Sequence, residues 1–201
     1  MRLILGIGNP GSKYNTNRHN VGFIILDHLA SLNSISFAAA RGDYYSASGK
    51  LEGNDYQLIK PTTYVNNSGL AAKQALEKYN LDVKDLLVIH DDVNLPHSDI
   101  RVKAKGGDGG HNGLNSLIYH LMSDEFPRIR IGVGNDFERG EMADYVLSDF
   151  SKEEMKALDE NLDTIKRLIE EFITGGVSKL LDANSRISNP DKNSDNNQKS
   201  T

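Results

Sequence analysis

Short apolar runs and stretches with helical spacing alternate along the chain. Apolar runs predict buried strands, and apolar residues spaced three and four apart predict helices. The predicted strands cover residues 3–7, 44–51, 56–60, 85–92, 99–105 and 128–134. The predicted helices cover residues 21–32, 68–79 with Ser68 as its cap, a segment that begins near Asn112, 151–174 and 177–183. Because strands and helices alternate, the sequence predicts an α/β fold: a single domain with a mixed, largely parallel twisted sheet flanked by helices.

Length and composition are those of one globular domain, with 201 residues, 38% of them apolar and 25% charged. The stretch from residue 188 onward has no large apolar side chain, so we predict one folded domain over residues 1–187 and a disordered polar tail over 188–201. No stretch approaches the roughly 20 apolar residues of a membrane span, and no secretory signal pattern is present, so we expect a cytoplasmic protein. The absence of cysteine excludes thiolate metal sites and cysteine nucleophiles.

Three glycines after the first predicted strand, Gly6, Gly8 and Gly11, have the spacing of a dinucleotide-binding motif. In that motif the third glycine begins a helix, whereas here a polar segment, residues 9–20, separates the strand from the helix. The acidic residue expected about 20 positions later is missing, because Asp27 falls inside the predicted first helix. We therefore interpret the glycines as a sharp turn that places Asn9 at the strand end, where α/β proteins bind ligands.

Five polar segments end predicted strands or begin predicted helices, and such termini meet at one edge of a sheet. They are residues 9–11, 18–20, 66–69, 90–92 and 109–113. Together they offer a histidine as base near pH 7, a carboxylate to orient it, and amides to stabilise an oxyanion. No Gly-x-Ser-x-Gly motif supplies a serine nucleophile, so this set favours attack on an activated acyl bond by water.

Five longer motifs stand in the order and spacing of a known family. They are GIGNPGSKYNTNRHNVG, PTTYVNNSG, VIHDDVNLP, GGDGGHNG and RIRIGVG. Over about residues 2–187 the chain resembles the bacterial peptidyl-tRNA hydrolase family. The resemblance implies a metal-free enzyme without a cofactor that hydrolyses the ester between a peptide and the 3′ end of tRNA. We therefore expect peptidyl-tRNA as the nucleic-acid partner, no membrane partner and a monomeric protein.

The resemblance also implies roles for individual residues. His19 takes the position of the general base, and Asp91 takes that of its carboxylate partner. Val65 stands in the apolar wall of the peptide groove, where many relatives carry methionine. The residues expected to bind the substrate are Asn9, Tyr14, Tyr64, Asn66 and Asn112.

Basic residues alternate with apolar ones over residues 99–105, which places Arg101, Lys103 and Lys105 on one face of a strand. Arg128 and Arg130 repeat the pattern on a later strand. Although the net charge is −5, a local basic face suits phosphate contact. The alternative is an ordinary solvated strand face. With the resemblance, which puts Arg139 at the position of a tRNA-contacting lysine, the residues expected to bind tRNA are Arg101, Lys103, Lys105, Arg130 and Arg139.

Two other functions remain open at this point. A protein of the same fold could bind RNA without catalysis. A metallohydrolase could use His90, Asp91, Asp92 and His111, although metal-binding spacings such as His-Glu-x-x-His are absent. Outside such a site, His90 and His111 have the positions of structural residues at a strand end and a helix start, and Asn112 could be a helix cap.

Overall fold

The computed structural model describes residues 1–188, so the predicted polar tail lies, apart from Ser188, outside the described residues. The strands are β1 Arg2–Gly6, β2 Ala38–Ala39, β3 Tyr44–Leu51, β4 Asn54–Pro61, β5 Leu86–Asp92, β6 Ile100–Lys103 and β7 Arg128–Gly132. The α-helices are α1 Val21–Leu32, α2 Ser68–Tyr79, α3 Asn112–Leu121, α4 Met142–Val146 and α5 Lys152–Ser188. Short 3₁₀ turns cover Ser12–Tyr14, Arg18–Asn20, Val65–Asn67 and Val83–Asp85.

All seven strands form one sheet in the order β2-β3-β4-β1-β5-β7-β6. The four central strands, β4, β1, β5 and β7, are parallel, and the outer strands pair antiparallel. This arrangement confirms the predicted mixed, largely parallel sheet. Because β1 and β5 are parallel neighbours with Gly6 opposite Ile89, the segments that follow them leave the sheet at the same edge.

Helices cover both faces of the sheet, which explains why the central strands are continuous apolar runs. Ile4 belongs to the core that packs against α1 and α5. Its neighbours Leu3 and Leu5 belong to a second core, formed with α2 and α3. All three side chains are fully buried, so β1 contributes to both layers.

Glycines allow α1 to lie directly on the sheet. A Cβ atom on Gly22 would lie 2.6 Å from the backbone nitrogen of Ile7 and 2.6 Å from the carbonyl oxygen of Ile89. A Cβ on Gly6 would lie 2.4 Å from the carbonyl oxygen of Gly22. Gly11, with a φ of 110°, makes the turn that we expected after the strand. The opening glycines therefore serve helix packing and a turn.

Two predicted helix boundaries need correction. The prediction that Ser68 caps α2 is wrong: Ser68 is the first helical residue, and the preceding Asn67 makes no side-chain cap hydrogen bond. The predicted helices 151–174 and 177–183 both belong to α5, which runs from Lys152 to Ser188. This segment is interrupted at Gly176, whose φ of 66° is not helical. The short α4 was not predicted.

Candidate active site

A buried carboxylate holds an imidazole where β1 and β5 end. His19 lies in the turn Arg18–Asn20 before α1, and Asp91 is the penultimate residue of β5. Nδ1 of His19 lies 2.9 Å from Oδ1 and 3.0 Å from Oδ2 of Asp91. The side chain of Asp91 is 3% exposed and that of His19 12% exposed. Because Nδ1 is engaged by the carboxylate, Nε2 is the nitrogen that remains available to a reactant.

His111 is a second donor to the same carboxylate. Its Nε2 lies 3.0 Å from Oδ1 of Asp91. Its Nδ1 accepts hydrogen bonds from the backbone N–H groups of Gly113 and Leu114, at 3.0 and 3.3 Å, and so caps α3. A nitrogen that accepts these bonds carries no proton, so the proton of His111 is on Nε2 and points to Asp91. The cap of α3 is therefore His111, and Asn112 is not the cap.

For both Asp91 and His19, burial shifts the pKa in one direction and the contacts between the side chains shift it in the other. Burial alone would raise the pKa of Asp91, but the charge interaction and hydrogen bonds with His19 and His111 hold that pKa well below its ordinary value. Burial alone would lower the pKa of His19, but the charge of Asp91 and the hydrogen bond to it outweigh burial, so the pKa of His19 is raised. Asp91 therefore stays ionised and supports protonation of His19.

The pKa of the neighbouring His90 is lowered, whereas that of His19 is raised. It is 2% exposed, and its Nδ1 donates to the carbonyl oxygen of Asp91 at 2.6 Å. Burial, with the nearby His111, lowers the pKa of His90 to about 3. His90 is therefore neutral at physiological pH.

Asn20 fixes Asn9 through two hydrogen bonds. Its Oδ1 accepts from the backbone nitrogen of Asn9 and its Nδ2 donates to the backbone oxygen of Asn9, both at 2.9 Å. Oδ1 of Asn9 accepts from the backbone nitrogen of Val65 at 3.0 Å. These bonds determine the orientation of the Asn9 amide, and they leave its Nδ2 as a free donor within the described chain.

These residues face a cleft of about 370 Å³ at the strand ends. The candidate residues that line the cleft are His19, Asp91, Asn9, Tyr64, Asn66 and Asn112. Val65 also lines the cleft, as expected for the peptide groove. Tyr14 lies outside this lining, in the turn Ser12–Tyr14, where Nζ of Lys13 is 4.7 Å from its ring centre.

Two parts of the cleft were missed from sequence. Apolar residues in and beside α4, among them Met142, Val146 and Leu147, form one wall. Five residues are too few to show a helical period, so no sequence signal identified α4. The role of His111 as a donor to Asp91 was also missed: the sequence offered His111 as a structural residue at a helix start or as a ligand of the alternative metal site.

The basic face is present in part. Arg101, Lys103 and Lys105 are exposed and alternate with less exposed neighbours, as predicted. Lys103 and Arg130 line the cleft, and Nε of Arg130 donates to Asp92 at 2.6 Å. Arg139 is exposed in the segment between β7 and α4.

Arg128 does not belong to the exposed basic face, which corrects the expected repeat on β7. It is 2% exposed, and its guanidinium donates to the carbonyl oxygens of Gly107 and Gly106 at 2.8 and 2.6 Å. It also lies 4.5 Å from the ring centre of Phe126. Arg128 therefore anchors the glycine-rich segment before α3.

The possible metal ligands that lie together in the structure differ from the set His90, Asp91, Asp92 and His111 considered from sequence. The possible ligand atoms that lie within 4.8 Å of one another belong to His19, Asp91 and His111. An ion on Nε2 of His111 would move its proton to Nδ1, against the two N–H groups that this nitrogen accepts. The donor set therefore fits a hydrogen-bonded triad better than a metal centre.

No helix within residues 1–188 has the length and apolar character needed to cross a membrane.

Comparison with known proteins identifies relatives over nearly the full length. A sequence profile of the peptidyl-tRNA hydrolase family matches residues 3–194. The peptidyl-tRNA hydrolase of Geobacter metallireducens is 44% identical over 180 residues, covering 90% of this chain and 92% of the relative. That of Alkaliphilus oremlandii is 40% identical over 178 residues, covering 89% and 96%.

Solved structures agree with this match. The crystal structure of the peptidyl-tRNA hydrolase of Acinetobacter baumannii superposes with a TM-score of 0.86 at 31% identity, covering 93% of this chain and 94% of that one. The crystal structure of a peptidyl-tRNA hydrolase complex with N-propanol gives the same values. With matches of this identity and coverage in both sequence and structure, the chain belongs to the peptidyl-tRNA hydrolase family.

Proposed function

We propose that this protein hydrolyses the ester between a peptide and the 3′ end of tRNA, with His19 as the general base. Membership of the family supports the reaction. The observation that carries the assignment of the base is the contact of His19 Nδ1 with the buried Asp91 at 2.9 Å, which leaves Nε2 free at the cleft. By releasing tRNA from its peptide, the reaction recycles peptidyl-tRNA that has left the ribosome.

The first step is addition of water to the ester carbonyl. Nε2 of His19 takes a proton from the water as its oxygen bonds to the carbonyl carbon, and the ionised Asp91 stabilises the imidazolium that forms. The carbonyl oxygen becomes an oxyanion. The free Nδ2 of Asn9, held in place through Val65 and Asn20, donates a hydrogen bond to this oxygen.

The second step is collapse of the tetrahedral intermediate. The bond between the carbonyl carbon and the 3′ oxygen of the terminal ribose breaks, and the ribose oxygen takes the proton from Nε2 of His19. The tRNA leaves with a free 3′ hydroxyl, and the peptide leaves as a carboxylic acid that loses its proton to the solvent. His19 returns to its neutral form, and no covalent enzyme intermediate is needed.

The peptide lies along the apolar side of the cleft. Val65 and the α4 wall contact its side chains, while the exposed amides of Asn66 and Asn112 bind its backbone and the attacking water. Tyr64 is 59% exposed at the rim and covers the peptide. Tyr14, next to Lys13 and outside the cleft lining, contacts only a longer peptide.

Phosphates of tRNA contact the basic face. Arg101, Lys103 and Lys105 project from the edge strand β6 and its continuation, on the side where Lys103 reaches the cleft. Arg130 shares its charge with Asp92, and it is less exposed than the other members of the face, so it contributes less. Arg101 pairs with Asp99 and Lys105 with Glu125 on the exposed surface, where such pairs are weak and can give way to a phosphate. Arg139 extends the face beyond β7.

We further propose that the enzyme works as a cytoplasmic monomer and without a metal ion. The two-sided hydrogen bonding of His111 supports metal independence. Full hydrolysis after incubation with excess chelator is the expected result, and loss of activity that added metal restores would contradict it.

The general base is tested by hydrolysis of an N-acetyl-aminoacyl-tRNA. The wild-type protein should release the tRNA, and His19→Ala should lower kcat by about 10² to 10⁴, while tRNA binding persists. His28→Ala, a histidine of α1 outside the cleft lining, is the matched control. Full activity of His19→Ala would overturn the assignment. If the wild type bound tRNA without hydrolysis, the protein would be a non-catalytic RNA-binding member of the fold.

A further inference from the structure

Arg18, the residue before the general base, is buried although it is charged. It is 9% exposed, and its guanidinium lies 4.5 Å from the ring centre of Tyr145. Nη2 donates to both carboxylate oxygens of Glu154, at 2.8 and 2.6 Å. Nη1 donates to Oγ of Ser148 at 2.6 Å and to the backbone oxygen of Asp149 at 2.7 Å. A buried charge is stable only when it is paired in this way, so these contacts define one position for the guanidinium.

The partner of Arg18 is itself fixed by the start of α5. The segment Ser151–Glu154 forms a capping box, in which Oε2 of Glu154 accepts from the backbone nitrogen of Ser151 at 2.7 Å. In return, Oγ of Ser151 accepts from the backbone nitrogen of Glu154 at 3.1 Å. The carboxylate of Glu154 therefore has little freedom to follow Arg18 if the turn moves.

The backbone of the turn is tied to the same region. The backbone nitrogen of Arg18 donates to the carbonyl oxygen of Ser148 at 3.1 Å, and that of Phe150 donates to the oxygen of Thr16 at 2.9 Å. The turn Arg18–Asn20 has only three residues, and such a short element does not fix its own position. On its other side, Asn20 attaches the turn to Asn9.

We infer that Arg18 is a positioning residue for the general base: through Glu154 it fixes the turn that carries His19 relative to Asp91. This inference rests on the proposed function. The groups that face the imidazole of His19 are Asp91 from β5 and His111 from the start of α3, whose ring centre lies 4.9 Å away. Since His19 keeps both short contacts to Asp91 only in one orientation, a shift of the turn lowers the rate.

The test compares Arg18→Lys and Glu154→Gln with the wild type. Lysine keeps the charge but cannot make the forked pair, and glutamine keeps the capping box but removes the charge. We expect kcat to fall by about 10- to 100-fold in Arg18→Lys and less in Glu154→Gln, with KM changed by less than about threefold. The acid limb of the kcat–pH profile should move to lower pH, because a looser contact with Asp91 leaves burial to lower the pKa of His19.

The matched control is Arg2→Lys, which alters another partly buried arginine that pairs with an aspartate, Asp85, and lies against Phe172. It should reduce stability but leave kcat and the titration of the His19 ring, followed by NMR, unchanged. If Arg18→Lys lowered only the melting temperature, with wild-type kcat and His19 titration, the inference would be wrong while the proposed function would stand. If the wild type itself failed to hydrolyse the substrate, the proposed function would fail.

Discussion

His111 donates its Nε2 proton to Oδ1 of Asp91 across 3.0 Å, and the same oxygen lies 2.9 Å from Nδ1 of His19. Removing the His111 donor in His111→Ala leaves the charge of Asp91 to act on His19 alone, so the pKa of His19 should rise further. The acid limb of the kcat–pH profile should then move to higher pH, with about a tenfold loss of kcat at neutral pH.

The same variant should lower the free energy of unfolding by about 1 kcal/mol, because α3 loses its cap. His120→Ala, at the other end of α3 and bonded to the oxygen of Ser116, is the control for both measurements. An unshifted acid limb in His111→Ala would show that His111 does not influence the base.

Asp91→Asn should have the opposite effect on the pH profile. In the wild type the pKa of His19 is raised, so activity should fall as the pH drops through a value above the ordinary one of about 6.5. Without the carboxylate charge, burial remains and lowers the pKa of His19, so the acid limb should move below that value. We expect kcat to fall by about 10³ to 10⁴, because nothing then stabilises the imidazolium. An acid limb at the wild-type position would mean that another group titrates there.

His90 should make the protein less stable in mild acid. Its pKa is about 3 in the folded protein and about 6.5 in the unfolded chain, so below pH 6.5 the unfolded state takes up a proton that the folded state does not. The free energy of unfolding should therefore fall as the pH drops from 6.5 towards 3. In His90→Gln the slope between pH 6.5 and 5 should shrink by about 1 kcal/mol per pH unit, measured by urea unfolding.

The basic face should give tRNA binding a strong dependence on salt. Replacing Arg101 and Lys103 by glutamine should weaken binding most at low salt and reduce the slope of log affinity against log salt by about 1 for each phosphate that the variant no longer neutralises. Lys50→Gln, on the far edge of the sheet, is the control, since its side chain is 65% exposed and pairs with Asp55. If the double variant and Lys50→Gln lost equal affinity for tRNA, the result would argue against a defined basic face.

The contact between α1 and the sheet should not tolerate a methyl group. Gly22→Ala places a Cβ 2.6 Å from two backbone atoms, so we expect a loss of about 1–3 kcal/mol in the free energy of unfolding. Gly107→Ala is the control, because a Cβ there meets no atom within 4 Å and the backbone is not left-handed. Denaturant unfolding of both variants measures the difference. Equal stabilities would mean that α1 can shift to make room for the methyl group, against this prediction.

The elements with a clear period were predictable from sequence. α1 and α2 have the predicted bounds, and β5 differs from its prediction by one residue, because their apolar positions repeat over a sufficient length. The turns around His19 and Val65 have no such repeat, and their shape depends on contacts with distant segments. Arg18 illustrates this, since the hydrogen-bond partners of its side chain are 130 or more residues away.

The residue types of the site could be predicted from the sequence, but not all of the contacts between them. The motifs brought His19, Asp91 and Asn9 together, and the structure places them on one cleft. Arg128 and Arg130 look equivalent in sequence, yet Arg128 is buried under the glycine segment and Arg130 reaches the cleft, because burial along a strand depends on the loop that covers it. The hydrogen bond from His111 to Asp91 could not be predicted for a related reason, because a histidine that caps a helix and one that serves a site look the same in sequence.

The ionised carboxylate of Asp91 is buried at the cleft where β5 ends, while the exposed Lys103 lines the same cleft and has no carboxylate among residues 1–188 paired to it. These two charges of opposite sign lie at different places in the cleft. A polynucleotide entering it meets repulsion for its phosphates at one end and attraction at the other, and its one linkage without charge is the terminal acyl ester. We therefore expect charge to favour the orientation in which the neutral ester lies beside Asp91 and the nearest phosphate lies beside Lys103.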